Sequence, residues 1–589
     1  MGHLNAYRLQ ILMTLAVTAV ALPKARRYNV GDEVPLFVNK VGPLNNPSET
    51  YEYYDLPFCS PDQVIHKKES IGEVLNGFDR LTNTLYELKF SVNKSNDVLC
   101  HKKLSRYEVA KFRSAIINEF YFQSYYDDLP FWGFIGKVED ASWTLDAKGP
   151  NKYFLFTHVR FDALYNGNQI LEVHAFSDPN HAIDITEDIE CDVEFSYSVF
   201  WKESQSKHKS RMDRYSKASI LPLQMKVHWF SFINSVAIIF LLTGFVIMVL
   251  MQRLKNDLRK LSGGDEEDDK EVGWKYLHGD VFRSPSSMPL LAAIIGAGTQ
   301  LLTMVCFLFI LSFLGILYPY NRGALSTTLF IIYTLTSAIA GFTSASFHSK
   351  FVKTGWERSV TLSGMLFLVP FLLQGFLLNL VAMSFRATSA LPLGTILVIL
   401  LIYALIAIPL LALGGGVGYR CRSEFQAPSA QKKTPRDITY LKWHQKTLGQ
   451  MFLAGLLPFS AIAPELHYLY ASMWGHKIFT LPGVLFVMFI ILIFLTVILS
   501  VGLTYFQLAA EDHKWWWRSM FRGGSTAVFM FVYSIWFYYK SDMTGFLQTS
   551  FFFGYTACMC YGFFITLATI GFFASFMFVR HVYRTVKSE

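Results

Sequence analysis

The sequence is poor in charge and lacks the common signatures of catalysis. Charged residues make up 17% of its 589 positions, whereas a soluble domain carries about 25%. It contains no nucleophile elbow, no HExxH helix and no nucleotide-binding loop. The charge deficit indicates contact with lipid. The missing signatures give no basis for predicting an enzyme, a cofactor or a bound metal.

Long apolar runs are absent between residues 22 and 228, where none reaches the roughly 18 residues needed to cross a bilayer. The preceding residues follow the order of a signal peptide. Arg8 supplies the positive charge, an apolar run follows it, and Ala19 and Ala21 are the small residues that a signal peptidase reads. We therefore predict a signal peptide at 1–21 and a soluble lumenal domain at 22–228.

The segment 22–228 has the pattern of a β-rich α+β domain. KYFLFTHVRF at 152–161 and QILEVHAF at 169–176 flank the turn Asn166-Gly167, and this order predicts a β-hairpin. The segment 105–123 spaces its apolar residues at helical intervals behind a serine cap, which predicts a helix.

Nine long apolar runs follow residue 228, and each is long enough to span a membrane. The eighth is the shortest and is rich in aromatic residues of the kind found at membrane interfaces. The predicted fold is therefore the lumenal domain followed by a nine-helix transmembrane bundle over 229–580. The runs lie at 229–251, 289–317, 324–347, 359–384, 394–418, 448–471, 479–509, 524–540 and 551–579.

Lysine and arginine are distributed unevenly between the segments that join the runs. One set of segments holds 23 of these residues, and the opposite set holds four, namely Arg322, Arg386, Lys477 and Lys540. Positive residues stay in the cytosol, so the N-terminal domain is predicted to face the lumen. The net charge of +8 thus reflects membrane orientation and does not indicate nucleic-acid binding. The predicted cytosolic segments are 252–288, 348–358, 419–447, 510–523 and the tail 581–589, and the 23 residues include Arg580, which directly precedes the tail.

Eight short blocks along the chain carry a family pattern. They are LPFC at 56–59, DDLPFWGFIG at 127–136, VHWFSFINS at 227–235, GWKYLHGDVFR at 273–283, LLPFSAIAPEL at 456–466, EDHKWWWRS at 511–519, TGFLQTSFFFGY at 544–555 and the terminal KSE. These blocks resemble those of the nonaspanins, the transmembrane 9 superfamily or EMP70 family. The similarity is collinear from about residue 28 to the last residue, and the short lumenal domain is most similar to that of the type 1 member.

The resemblance implies a role in membrane traffic. Lys587-Ser588-Glu589 resembles the family's Lys-x-acid tail, which implies binding of the COPI coat and retention in the Golgi. The family resemblance further implies a Golgi and endosomal protein that helps other membrane proteins reach their compartment. Client membrane proteins would be recognised in the membrane plane through glycine-rich spans.

Three cysteines precede the first apolar run, and spacing alone leaves their pairing open. Cys59 and Cys100 lie in blocks of the resemblance, which implies a disulfide between them and leaves Cys191 as the odd thiol. Asn93 begins the only N-x-S/T acceptor in the lumenal part, so it is a candidate for glycosylation.

Glu465 is the most unusual polar residue within a predicted span. It follows Pro464 and lies two residues before His467. A helix broken by proline that carries an acid is one way to build an ion or substrate site, with Asn379 and Gln374 as candidate partners. The sequence therefore keeps a channel or secondary transporter as the alternative function. The other interpretation is that Glu465 pairs near the lumenal end of its helix, and that the amides form simple interhelical hydrogen bonds.

Two further patterns concern the membrane boundary and helix packing. Trp515, Trp516 and Trp517 lie beside Arg518 at a predicted cytosolic boundary, where indoles and a cation are expected to anchor the chain among lipid headgroups. The glycine run at 414–416 lacks the remainder of a phosphate loop, so we expect it to serve close helix packing.

Overall fold

The computed structural model describes residues 26–75, 80–139, 151–206, 229–262, 277, 280–285, 287–315, 317, 323–422, 425, 443–474 and 482–585. The predicted signal peptide lies outside these residues, as do Lys587 and Glu589 of the tail. Both assignments therefore stay predictions.

The N-terminal part is β-rich with two short helices, as the sequence predicts. Its helices are α1 (Ile71–Leu75) and α2 (Arg106–Ile117). Its strands are β1 (Leu36–Pro43), β2 (Tyr51–Glu52), β3 (Lys94–Leu104), β4 (Phe120–Tyr126), β5 (Leu129–Phe134), β6 (Gly136–Glu139), β7 (Lys152–Phe156), β8 (His158–Asn166), β9 (Gln169–Ser177), β10 (Ala182–Asp184) and β11 (Cys191–Glu203).

The strands form three sheets, with the orders β2-β1-β4-β5, β10-β7-β6 and β3-β11-β8-β9. All neighbours are antiparallel except β8 and β11, which run parallel. The predicted hairpin is confirmed, because β8 and β9 pair up to Asn166 and Gln169. Gly167 in its turn has φ +56°, a left-handed conformation that glycine adopts without a steric penalty.

Helix α2 covers one face of the β-rich core. The Ser105 hydroxyl accepts the backbone N–H of Glu108, and the Glu108 carboxylate accepts the backbone N–H of Ser105, so this capping box fixes where the helix begins. Val109 and Phe112 lie one turn apart on its inner face and are both 0% exposed. The helix therefore belongs to the domain core, as its apolar spacing predicts, but it ends at Ile117, and the last part of the predicted segment 105–123 belongs to strand β4.

Nine long helices follow in the described residues, one over each predicted apolar run. Seven of them are long and apolar enough to cross a membrane, and the exceptions are α3, whose apolar stretch is Val236–Val249, and α10. The helices are α3 (Trp229–Ser262), α4 (Met288–Phe313), α5 (Ala324–Phe351), α6 (Trp356–Ser384), α7 (Leu393–Arg420), α8 (Thr447–Trp474), α9 (Pro482–Ala509), α10 (Trp515–Lys540) and α11 (Phe546–Thr585).

Helices α5 and α7 approach each other backbone to backbone through glycines. A Cβ added to Gly414 would lie 2.0 Å from the carbonyl oxygen of Ala338, and one added to Gly418 would lie 2.4 Å from that of Phe342. Gly341 on α5 makes the reciprocal approach to Leu411, at 2.0 Å. Small residues allow such contact between helices, so the close packing predicted for the glycine run is confirmed.

The β-rich domain rests on one end of the helical bundle. The Asn46 side chain accepts the backbone N–H of Thr544 at 3.0 Å, and the hydroxyls of Thr50 and Thr388 lie 2.6 Å apart. Arg80 donates to the carbonyl of Ala390 at 3.2 Å. The domain thus contacts the cation-poor segments between helices, and the cation-rich segments meet at the other end. We call that other end the distal end; there α9 ends, α10 begins and α11 ends.

Candidate functional site

The four residues of the predicted intramembrane polar site do not come together. Glu465 and His467 lie on α8, which packs against α3, α9 and α10, whereas Asn379 and Gln374 lie on α6, which packs against α4, α5 and α11. The His467 ring nitrogen Nδ1 lies 3.0 Å from the Tyr533 hydroxyl on α10. The expectation of one converging site at these residues is therefore corrected.

The two amides of α6 have separate structural contacts. Asn379 is buried, and its Oδ1 accepts the backbone N–H of Leu391 at 2.6 Å, which fixes the turn between α6 and α7. Gln374 lies against α11 at Gly554, where an added Cβ would come within 2.5 Å of its Nε2. Each amide therefore has a packing role at a helix end or interface.

The tryptophan block is largely inside the protein. Trp515 is 0% and Trp516 3% exposed, and the indole N–H of each donates to the carbonyl of Val281, at 2.9 Å and 3.3 Å. The prediction that these two indoles anchor among lipid headgroups was wrong, because Val281 and Phe282 pack in the same buried cluster as the two rings. Trp517 is half-buried, so its role as an anchor stays a prediction.

A buried polar cluster lies near the distal end, and the sequence interpretation missed it. We call it the Arg522 cluster. The Arg522 guanidinium on α10 donates from Nη2 to the Thr504 hydroxyl at 2.9 Å and from Nη1 to the Gln450 side-chain oxygen at 3.3 Å. All its side chains are at most 3% exposed. Its hydrogen-bonded members are Gln450 on α8, Thr504 on α9, Arg522 on α10 and Ser575 on α11, and Gln507 lies one turn beyond Thr504 on α9.

Close packing between α10 and α11 holds the cluster in place. A Cβ added to Gly523 would lie 2.5 Å from the carbonyl oxygen of Leu567, and one added to Gly571 would lie 2.9 Å from the Cα of Gly523. The Thr504 hydroxyl also donates to the Ser575 hydroxyl at 2.9 Å. The side chains of four helices therefore meet within one layer of the bundle.

The spacing of cations in the sequence was the signal that could have revealed this cluster. Lys514, Arg518 and Arg522 recur at intervals of four residues, which is the spacing of one helix face. The sequence interpretation assigned 510–523 to a loop, whereas the structure begins α10 at Trp515. Arg518 forms an ion pair with the buried Asp512 rather than pointing freely to lipid.

The predicted disulfide of the β-rich domain is present. Cys59, after β2, is bonded to Cys100 on β3, with their Cα atoms 6.2 Å apart. Cys191 at the start of β11 is a free thiol. Asn93 is exposed, and its Oδ1 accepts the backbone N–H of Trp201 at 2.7 Å. The side-chain nitrogen that would carry a glycan is therefore at the surface, and its glycosylation stays a prediction.

Two histidines of the β-rich domain, His158 and His181, lie side by side. His158 is 6% exposed, and its ring nitrogens lie 2.8 Å and 2.9 Å from the hydroxyls of Ser196 and Ser198. The His181 ring packs against the His158 ring with 5.0 Å between their centroids, and its Nδ1 is hydrogen-bonded to the Asp178 carboxylate. Burial, followed by the neighbouring His181, lowers the pKa of His158.

No group of three or more histidine, cysteine or acidic side chains that could hold a metal ion occurs among the described residues. Cys560 is buried against Tyr470 and Cys558 is half-buried, which fits packing of the last helix.

Comparison with known proteins agrees with this architecture. Transmembrane 9 superfamily member 5 of Arabidopsis thaliana is 52% identical over 583 residues, which are 99% of each chain. Member 4 of the same plant is 53% identical, covering 96% of this chain and 95% of its own. Transmembrane 9 superfamily member 1 of Bos taurus is 38% identical, covering 99% of this chain and 97% of its own.

The matched region includes most of the β-rich domain and reaches the start of the last helix. The model of the Endomembrane protein 70 family matches residues 50–546. This match confirms the family resemblance inferred from the eight sequence blocks, although over the whole chain members 5 and 4 of Arabidopsis thaliana, at 52% and 53% identity, are more similar than the type 1 member, at 38%. The chain belongs to the Endomembrane protein 70 family, the transmembrane 9 superfamily of integral membrane proteins.

Proposed function

We propose that this protein resides in Golgi and endosomal membranes, where it helps other membrane proteins reach their compartment. Its own position is set by the COPI coat, which binds Lys587 and Glu589 in the cytosolic tail. The role is non-catalytic. Family membership and the Lys-x-acid ending support this proposal together.

The course of α11 is the observation that carries the tail assignment. The helix begins where the β-rich domain docks, since Gln548 accepts a hydrogen bond from the backbone of Ser48. Its 40 residues extend about 60 Å at 1.5 Å per residue, more than the roughly 30 Å of a bilayer's hydrocarbon core. Tyr583, near its end, is buried in the core of the distal end. The tail therefore starts on the side opposite the β-rich domain, as coat binding requires.

The tail is tested with the double variant Lys587→Ala/Glu589→Ala, tagged in the β-rich domain so that the C-terminus stays free. Because the coat pairs with a cation and an acid, the variant should move from Golgi to post-Golgi membranes in quantitative imaging. Ser588→Ala and Glu589→Asp serve as controls that keep both charges and should stay in place. An unchanged distribution of the double variant would remove the coat assignment.

Clients are proposed to bind in the membrane plane, helix against helix. Gly375 on α6 and Gly416 on α7 have no atom within 4 Å of an added Cβ, so their outer surfaces remain open to a neighbouring helix. Gly375→Leu should block close approach without disturbing the internal packing of the bundle. Surface proteomics of depleted cells, rescued with wild type, Gly375→Leu or the neighbouring Leu373→Ile, tests this step. Equal rescue by all three would exclude this face.

The transport alternative retains little support. Its motivation was a proline-broken span that carries an acid, whereas α8 runs as one helix from Thr447 to Trp474 with Pro458 and Pro464 inside it, and the candidate partners of Glu465 lie on a helix with different neighbours. A flux in proteoliposomes that Glu465→Gln abolishes would restore it, whereas mislocalised clients without any flux support the sorting role.

A further inference from the structure

Arg522 carries a positive charge inside the helical bundle. Arg522 is 1% exposed, and no carboxylate among the described residues forms an ion pair with it. The charge of Asp512 also acts on Arg522, but this carboxylate forms its ion pair with Arg518. The two hydrogen-bond acceptors of Arg522, on Thr504 and Gln450, are neutral. A buried charge in such surroundings is costly unless an anion compensates it.

Hydrogen-bonding groups without a partner are found on Arg522 itself and on Gln507, one helical turn from Thr504. The Nε of Arg522 is buried and has no hydrogen-bond partner, and neither atom of the Gln507 amide has one. Gln507 is 2% exposed and lies one turn from Thr504 on the same face of α9. Buried polar groups in proteins are nearly always bonded. The Nε–H of Arg522 and the amide N–H of Gln507 therefore lack an acceptor.

Lys514, Arg518 and Arg522 lie in this order from the distal surface to the Arg522 cluster, and their exposure decreases in the same order. Lys514 is exposed, the side chain of Arg518 is 16% exposed, and Arg522 is buried. Lys514 directly precedes α10, and Arg518 and Arg522 lie one turn apart on one face of that helix, about 6 Å along its axis. Positive charge that leads inward from the surface attracts anions and guides them to a site.

We propose that Arg522 and Gln507 form a binding site for a phosphate group between α8, α9 and α10 at the distal end. A guanidinium offers a planar fork of N–H donors that matches phosphate oxygens, and the Gln507 amide adds a further donor. The phosphate belongs to a phospholipid headgroup or to inorganic phosphate. This site goes beyond the proposed sorting role and does not depend on it.

The experiment follows thermal unfolding of the purified full chain in neutral detergent micelles. One arm titrates inorganic phosphate at constant ionic strength, and the other titrates short-chain phosphatidylinositol 4-phosphate in phosphatidylcholine micelles. The wild type should gain several degrees in melting temperature in at least one arm. Arg522→Gln and Gln507→Leu should each weaken the apparent affinity at least tenfold. Arg420→Gln removes an exposed cation at the end of α7 and should respond as the wild type does.

Gln507→Leu keeps the proposal falsifiable if Arg522→Gln fails to fold. Leucine removes two unpaired polar atoms from a buried position, so the ligand-free variant should be at least as stable as the wild type. If Gln507 contacts the ligand, phosphate raises the melting temperature of the variant less than that of the wild type, while the melting temperature without ligand is unchanged or higher. A response to lipid alone identifies a headgroup site, and a response to both ligands identifies a site for phosphate as such. No response in either arm, or an equal response of Gln507→Leu and wild type, overturns the proposal.

Discussion

The backbone N–H of Ser48 donates to the Gln548 side-chain oxygen at 2.9 Å, and both residues are buried although 500 positions separate them in the chain. This bond joins the β-rich domain to the first turn of the last helix. Together with the contacts of Asn46 and Thr50 it fixes the domain on one end of the bundle. The orientation of the domain is thus part of the fold.

Gln548→Leu should loosen this junction. The variant leaves the Ser48 N–H buried and unpaired, which costs about 1–3 kcal/mol. Hydrogen exchange of the full chain should show faster exchange at 46–50. Gln63→Leu changes an exposed glutamine of the same domain and should leave exchange there unchanged. Equal protection in both variants would show that the bond does not hold the domain.

Loss of the disulfide should destabilise the β-rich domain. Cys59 and Cys100 are 41 positions apart, and a cross-link that closes a loop of this size stabilises by ~4 kcal/mol in the chain-entropy account. Cys59→Ser/Cys100→Ser should therefore unfold at a lower denaturant concentration. Cys191→Ser, which removes a free thiol, is the control. Free thiols at both positions in a non-reducing peptide map of the wild type would refute the bond.

Gly414→Ala should damage the bundle, and Gly416→Ala should not. The added methyl at 414 meets a carbonyl oxygen of α5, whereas the one at 416 meets nothing within 4 Å. Overpacking costs about 1–3 kcal/mol, and alanine in place of an open helical glycine gains up to about 1 kcal/mol. Size-exclusion profiles and melting temperatures of the two detergent-purified variants give the comparison. Identical behaviour would contradict the close packing of α5 and α7.

Acid should weaken the β-rich domain around His158. The pKa of this ring is lowered in the folded state, while the unfolded chain binds the proton near pH 6.5. The unfolded state thus holds more protons below about pH 6.5, so the free energy of unfolding falls as the pH drops through this range. Hydrogen exchange at 158–166 and 191–203, corrected for intrinsic rates, should show less protection at pH 5.5 than at pH 7.5.

His158→Gln should flatten that pH dependence, because the glutamine does not titrate. His101 is the matched control, since its side chain is 73% exposed, and His101→Gln should keep the wild-type dependence. Asp178 also has a lowered pKa, owing first to the N–H of Asn180, but its contribution is lost only near or below pH 4. A wild-type slope in His158→Gln would assign the effect to another group.

Local patterns predicted the elements of the fold well. The Asn166-Gly167 turn lies between two alternating segments, and Ser105 precedes a helical repeat, so both elements follow from interactions between near neighbours in the chain. The apolar runs likewise contain the information for helices in lipid, because each has to satisfy its own backbone polar groups. These features need no knowledge of distant contacts.

Features that depend on distant contacts could not be predicted. Trp515 and Trp516 look like interface anchors until Val281, more than 230 positions earlier, is found over them. Asn379 is a residue type that a polar site would use, yet its side-chain oxygen accepts the backbone N–H of Leu391 in the turn that follows its helix. Arg522 was missed because its helix begins earlier than the apolar pattern indicated. In each case a neighbouring element decides what the side chain does.

Protease digestion of sealed membrane vesicles from cells that express the protein shows whether the β-rich domain and the tail lie on opposite sides of the membrane. We expect an epitope beyond Thr585 to be digested without detergent, while the region of Asn93 stays protected until detergent is added. Protection of both regions, or digestion of both without detergent, would contradict this arrangement.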